Sequence, residues 1–215
     1  MTDDALPLVD PAKCTACGDC VDVCPKGLFV LMPISQKLIV QCKSLLEGDL
    51  ATDRCSVACN GCSRCHVDCP YEAITMAAHP DKPGHRIAIV DADNCAGCGI
   101  CAGACPSSTP FRSQEKLVTG IDMPQQPVDA MRQEIEAAVA KLDGATKVVV
   151  FGCDKGADVR ALVARDTAAI SLICTGMLPP SFIEYALRSG VDGIVVTGCR
   201  DGGCDFRLGM QWTRE

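Results

Sequence analysis

The spacing of its cysteines constrains this chain more than any other feature. The pattern C-x-x-C-x-x-C-x-x-x-C-P occurs three times, at Cys14-Cys17-Cys20-Cys24-Pro25, Cys59-Cys62-Cys65-Cys69-Pro70 and Cys95-Cys98-Cys101-Cys105-Pro106. Two-residue gaps let successive thiolates curl around one face of a metal centre. Gly18, Gly97 and Gly99 let the backbone come close and turn its N–H groups toward the sulfurs. A proline after the last cysteine has no N–H to satisfy and stops the following short helix from extending backward.

This is the spacing of bacterial two-cluster ferredoxins, in which three close cysteines of one copy and the last cysteine of the other bind each [4Fe–4S] cluster. It predicts one cluster on Cys59, Cys62, Cys65 and Cys105, and another on Cys95, Cys98, Cys101 and Cys69. Between these copies lies YEAITMAAHPDKPGHRIAIVD, two alternating apolar runs about a Pro/Gly-rich turn. The lead-in IAIVDADNC at 87–95 echoes Leu8-Val9-Asp10 before the first motif, so a short strand, an acidic turn and a cysteine loop are repeated within the chain.

Eighteen cysteines in 215 residues admit either a secreted disulfide scaffold or a metalloprotein. The N-terminus, MTDDALPLVDPAKC, has neither the basic nor the apolar region of a secretory signal, and the longest apolar runs fall far short of a bilayer span. A cytoplasmic protein with metal-bound thiolates is expected. Aromatic residues make up only 4% of the chain, so metal clusters should supply much of the folding energy of the cysteine-dense half. A net charge of −7 with scattered basic residues argues against nucleic acid as a partner, but not against peripheral membrane association through another protein of a complex.

The first motif has no obvious pair. Cys14, Cys17 and Cys20 can hold a third [4Fe–4S] cluster, with its fourth ligand drawn from Cys24, Cys42 or Cys55. Cys42 also reads as a buried free thiol after the apolar run Leu38-Ile39-Val40. Two competing motifs are discounted. Cys62-Ser63-Arg64-Cys65-His66 matches the c-type haem attachment pattern, but both cysteines are already required by the ferredoxin spacing; His66 is then a partly exposed residue beside a cluster. Structural zinc sites use well-separated C-x-x-C pairs without a third cysteine two residues on.

Residues 8–112 resemble the C-terminal ferredoxin region of the B subunit of Rnf electron-transport complexes, through CPKGLFVLMP at 24–33, LIVQC at 38–42, CSVACNGCSRCHVDCPYEAI at 55–74 and IVDADNCAGCGICAGACPSS at 89–108. In that family a further cysteine motif usually precedes the equivalent of Cys14. Here only 13 residues do.

Residues 113–144 read as a connector: the polar, Pro-containing stretch RSQEKLVTGIDMPQQP from Arg112, then a helix with Met131, Ile135, Val139 and Leu142 on one face and Gly144 as its stop. From residue 145 the texture changes. KVVVFGC, AAISLICTG and GIVVTGC are apolar β-branched runs. GADVRALVARD, with Val159, Leu162 and Val163 on one face, and PPSFIEYALRSG, with Ile183, Ala186 and Leu187, separate them. This β-α-β-α-β order predicts a short parallel sheet with crossover helices, covered on both faces. The fold class is thus an α+β ferredoxin-like region followed by an α/β domain.

Cys153, Cys174 and Cys199 fall at or just beyond the ends of the three runs, so they should converge on the carboxyl edge of the sheet. Cys204 can fold back to them through RDGG, and four convergent thiols suit a [2Fe–2S] cluster. The turn TGCRDGGC lacks the G-K-[ST] ending of a phosphate loop. FGCDKGAD at 151–158, ICTGMLPPSFIEYALRSGVDGIVVTGC at 173–199 and DGGCDFRLG at 201–209 resemble the iron–sulfur delta subunit of methyl-viologen-reducing hydrogenases, associated with heterodisulfide reductases. That resemblance implies a [2Fe–2S] cluster on these four cysteines and electron relay between a hydrogenase or formate dehydrogenase and a flavoprotein. It also implies that the domain normally continues past Trp212, so the chain reads as shortened at its C-terminus.

No nucleophile–base pair, dinucleotide fingerprint or flavin motif is present in the sequence. The expectation is a non-catalytic iron–sulfur wire within a larger oxidoreductase. The competing readings are a thiol–disulfide protein acting through Cys153 or Cys199 and a zinc-stabilised interaction module.

Overall fold

The computed structural model describes residues 7, 9, 10, 12–112 and 120–214. Leu8 of the first lead-in and residues 113–119 of the expected linker lie outside the described residues. The chain divides into two compact units, Met1–Gln36 and Lys37–Glu215.

The first unit is built on one cysteine loop and a five-residue helix, α1 (Asp19–Val23). Asp10 organises its start: the Ala12 N–H donates to Asp10 Oδ1 at 3.0 Å and the Cys14 N–H to the Asp10 carbonyl at 3.0 Å. Asp91 repeats this in the second unit, accepting from Asp93 N–H at 3.0 Å through Oδ1 and from Cys95 N–H at 3.1 Å through its carbonyl. Such Asx turns let a short carboxylate satisfy the backbone that a strand leaves behind. The acidic turn is therefore repeated; of the lead-in before the first, the described Val9 is exposed and belongs to no strand.

All three loops share a backbone device. Two positions in each, Ala16 and Gly18, Gly61 and Ser63, Gly97 and Gly99, adopt positive φ between 56° and 90°. The second of each pair caps a short helix: α1, α3 (Arg64–Val67) or α4 (Ile100–Ala104). Alternating left-handed residues curl the chain so that successive N–H groups point inward.

In the second unit, β1 (Ile39–Val40) is followed by α2 (Gly48–Arg54). The apolar runs between the second and third motifs form an antiparallel hairpin, β2 (Ile74–His79) and β3 (Lys82–Val90), with Ile74 opposite Val90 and a bulge at Ala78/His79. The turn falls on Pro80-Asp81, so Pro83 and Gly84 lie within β3. The end of the expected linker is structured. β4 (Ile121–Asp122) returns to pair antiparallel with β1, and Gly120, Ile121 and Met123 are buried. The Gln126 amide then ties this segment to the sheet, donating to the Ser171 carbonyl at 2.8 Å and accepting from Ile173 N–H at 2.9 Å.

Helix α5 (Val128–Val139) buries Val128, Met131, Ile135 and Val139, and Leu142 is buried in the turn beyond. It stops well before Gly144, whose α-carbon instead abuts Asp166. Strands β5 (Val148–Cys153), β6 (Thr167–Leu172) and β7 (Gly193–Thr197) form a parallel sheet of order β6-β5-β7. Helix α6 (Pro180–Arg188) connects β6 to β7, and α7 (Gly209–Arg214) follows the last cysteine.

Three expectations are corrected here. The β5–β6 crossover is a single 3-10 turn, Val159–Leu162, not an α-helix. Only Val159 is buried, pressed on Gly152, while Leu162 and Val163 face solvent. On α6 the core residues are Phe182 and Ala186, with Leu187 exposed. The sheet is fully buried only along central β5; edge strand β7 leaves Val195 48% and Val196 36% exposed. Because Phe182 is wholly buried between α6 and the sheet, Phe182→Ala should destabilise this domain by about 3–5 kcal/mol, seen as a lower denaturant midpoint.

Candidate metal centres

The cysteines of the hairpin region line two cavities. One is bounded by Cys59, Cys62, Cys65 and Cys105, with Asn60, Ser63, Met76, Ala88 and Ser107 between them. The other is bounded by Cys95, Cys98, Cys101 and Cys69, with Leu38, Tyr71, Ile74, Gly97 and Gly99. Each cavity therefore takes three cysteines from one loop and its fourth from the other, the grouping that the spacing predicts. The hairpin makes the exchange by turning the chain back, which sets the third motif beside the second.

Burial dominates the state of these thiols. It pushes Cys65 up to about 12 and Cys98 up to about 11, and Cys101 well above the ordinary thiol range, with neighbouring cysteines adding repulsion. Peptide N–H groups pull the other way: Gly61 toward Cys59, His66 toward Cys65, Gly97 toward Cys95 and Ile100 toward Cys98. Buried thiols that resist ionisation yet face convergent N–H dipoles fit a site whose anionic form is completed by bound cations. Iron–sulfur clusters meet that requirement, and the four-cysteine lining suits one cubane per cavity. Among the described residues, no group of three or more His, Cys, Asp or Glu side chains is drawn together around a single metal ion; the thiols stand around wider cavities instead.

Several supporting residues carry no signal in the cysteine pattern. Lys37 lies along Gly97 and donates from Nζ to the Cys95 carbonyl at 3.1 Å. Ser107 donates from Oγ to the Ala58 carbonyl at 2.5 Å, tying the second and third loops together. The buried Ser108 oxygen completes no hydrogen bond among the described residues, but it lies against Cys105 and draws that thiol's pKa down against the larger effect of burial. His66, exposed as expected, directs Nδ1 to the Ile74 carbonyl at 2.6 Å. It braces the hairpin, and Cys62 and Cys65 on either side of the haem-like motif belong to the cavity.

The second group lies at the carboxyl edge of the parallel sheet. Cys153 ends β5, and Cys174 and Cys199 lie two residues beyond β6 and β7. Cys153 Sγ and Cys199 Sγ are 3.6 Å apart. Cys174 and Cys204 flank Gly209: a Cβ there would stand 2.6 Å from one sulfur and 3.0 Å from the other. The structure thus pairs Cys153 with Cys199 and sets Cys174 and Cys204 about Gly209 at the same end of the sheet, and a side chain at Gly209, where α7 begins, would collide with the latter two sulfurs. Burial, then repulsion from Cys153 and Cys204, pushes Cys174 up to about 12; burial, then its hydrogen bond to Cys153, pushes Cys199 up to about 11.

In the first unit Cys14, Cys17 and Cys20 are exposed and Cys24 is half-buried. Cys24 accepts from the Leu28 N–H at 3.4 Å, which with the Lys26 N–H lowers its pKa. Within the second unit Cys42 is half-buried, not fully buried, and close enough to Cys59 to raise that thiol's pKa. Cys55 caps the C-terminus of α2.

Comparison with known proteins agrees with this division. Residues 6–29 match a family described as a 4Fe-4S binding domain, and residues 58–109 one described as a 4Fe-4S dicluster domain. Residues 158–215 match the methyl-viologen-reducing hydrogenase delta subunit. The chain is 36% identical over 104 residues to the B subunit of the Na+-translocating ferredoxin:NAD+ oxidoreductase complex of Acetobacterium woodii, an alignment covering 48% of this chain and 29% of that protein. It is 27% identical over 177 residues to the formate dehydrogenase iron-sulfur subunit of Wolinella succinogenes, covering 76% and 82% of the two. It is 34% identical over 78 residues to an iron-sulfur subunit of the F420-non-reducing hydrogenase vhc of Methanococcus voltae, covering 32% and 54%. The chain thus spans less than a third of the Acetobacterium protein's length. No solved structure matches. The resemblances to the Rnf B subunit and to the hydrogenase delta subunit both hold, and the chain carries 4Fe-4S-binding domains.

Ser108 generates a test. The Ser108 hydroxyl, with no other partner among the described residues, is free to donate to the Cys105 sulfur once that sulfur is anionic, and such a bond would favour the more negative, reduced state of a centre held there. Ser108→Ala should lower one reduction potential by about 40 mV, the equivalent of one hydrogen bond of about 1 kcal/mol for a single electron. An EPR-monitored redox titration reads the shift, with the iron content unchanged.

Proposed function

We propose that this chain is a relay subunit carrying three [4Fe–4S] clusters and one [2Fe–2S] cluster. Two cubanes sit on Cys59, Cys62, Cys65 and Cys105, and on Cys95, Cys98, Cys101 and Cys69. The third sits on Cys14, Cys17 and Cys20, with a fourth thiolate from Cys24, Cys42 or Cys55. The [2Fe–2S] cluster sits on Cys153, Cys174, Cys199 and Cys204. The observation that carries the reading is the exchange of Cys69 and Cys105 between two four-cysteine cavities, an arrangement suited to storing single electrons at two neighbouring points.

The clusters supply one-electron redox chemistry. The protein's own groups hold the thiolates, direct N–H dipoles at them and keep water from the buried sulfurs. Catalysis belongs to partners. By homology these are a hydrogenase or formate dehydrogenase on one side and a heterodisulfide-reductase-like flavoprotein or membrane oxidoreductase on the other, with the relay working in the cytoplasm. Among the described residues no helix is long and apolar enough to cross a membrane, and the reading includes a peripheral place at a membrane through such a partner.

A thiol–disulfide reading has one observation in its favour, the 3.6 Å separation of Cys153 and Cys199. Against it, Cys199 is pushed up to about 11, whereas a reactive thiol needs its pKa lowered. Anaerobic purification followed by metal and sulfide analysis separates the readings. About 14 iron atoms per chain are expected, four per cubane and two for the last cluster; zinc in their place, or no metal, would overturn the proposal. Cys69→Ser should alter the EPR signal of a single [4Fe–4S] centre, and Cys204→Ser should remove the [2Fe–2S] signal alone. Cys24→Ser, Cys42→Ser and Cys55→Ser identify the remaining ligand by which one costs the first-motif signal.

A further inference from the structure

The two kinds of centre meet at one place in the second unit. Helix α4 starts two residues after Cys98, and it packs on the 3-10 turn Thr175–Met177 that follows Cys174. The contact is made of glycines. A Cβ on Gly103 would stand 2.6 Å from the Gly176 carbonyl oxygen, and one on Gly99 would stand 2.7 Å from Met177 Cβ. From the other side, a Cβ on Gly176 would stand 3.2 Å from Ile100 Cγ1. Main chain meets main chain at Gly103, and each turn issues directly from a cysteine that lines a centre. Helix α4 also packs on α3, which begins two residues after Cys62. The helix of the third cysteine loop is therefore in contact with both the helix of the second loop and the turn after Cys174.

We propose that the glycine contact between α4 and the turn after Cys174 is the crossing point for electrons between the ferredoxin region and the α/β domain. The centre on Cys69, Cys95, Cys98 and Cys101 is then the one that exchanges directly with the four-thiol site. This rests on the relay reading above and adds an order to it. One electron leaves the first side as the other accepts it; no bond is made or broken and no proton moves. The glycines act as positioning residues by letting the two backbones touch.

The test uses the full-length, iron-loaded protein reduced with dithionite and examined by EPR. In the wild type, the signals of the two centres should be broadened or split by magnetic interaction. The comparison is with the sum of Cys204→Ser, which lacks one partner, and Cys98→Ser, which lacks the other. Gly103→Val should weaken that interaction, with the iron content still about 14; Gly176→Ala, against a movable side-chain atom, should weaken it less. A wild-type spectrum equal to the sum of the separate centres overturns the proposal, even if Gly103→Val fails to fold. An interaction unchanged in a folded Gly103→Val protein overturns it too. Failure of the relay reading is distinguishable: iron near 12 with no [2Fe–2S] signal removes the four-thiol centre itself.

Discussion

Burying a thiol makes it a poorer anion, and most of this structure can be understood as a way of burying thiols while keeping them ready to be ligands. Desolvation raises Cys65, Cys98, Cys101 and Cys174, and each sits with other cysteines that repel any charge it gains. A strongly positive centre would offset both effects, so the proposed clusters would stabilise the fold that holds them. The backbone prepares for that by turning peptide N–H groups toward the sulfurs, which is the purpose of the paired left-handed residues in each loop. The Asx turns at Asp10 and Asp91 then fix where each loop begins.

Close approach is the second theme, and glycine supplies it where a side chain would separate centres from their surroundings. Gly209 leaves room for two sulfurs, Gly103 lets α4 rest on main chain, and Gly120 sits against the backbone of Cys59. The four-thiol site is joined to the hairpin region by more than this contact. Gln126 bonds the β6–Cys174 turn from the segment that also provides β4, so the sheet edge is held by the same stretch that pairs with β1.

Much of this was legible because ligand spacing is a local property. The three loops, the exchange of Cys69 and Cys105, the hairpin, the sheet strands and the convergence of Cys153, Cys174, Cys199 and Cys204 all follow from short-range pattern plus the rule that parallel strands end on one edge. The misreadings came where periodicity stood in for packing. Val159, Leu162 and Val163 have helical spacing, yet the segment between β5 and β6 forms a single 3-10 turn, and of the three only Val159 is buried. Ile121 looked like linker because its partner strand is more than eighty residues away in sequence. Lys37 and Gly209 act through contacts distant in sequence, with Cys95 and Cys174, whereas Ser108 follows Cys105 so closely that CPSS itself points to it.

The exchange of the fourth cysteine has a consequence for assembly. The hydrogen bonds that shape each loop span only a few residues, whereas each cavity draws one lining cysteine from the opposite loop. A cluster held in either cavity would therefore hold both loops at once, and replacing one fourth cysteine would be felt on both sides of the hairpin.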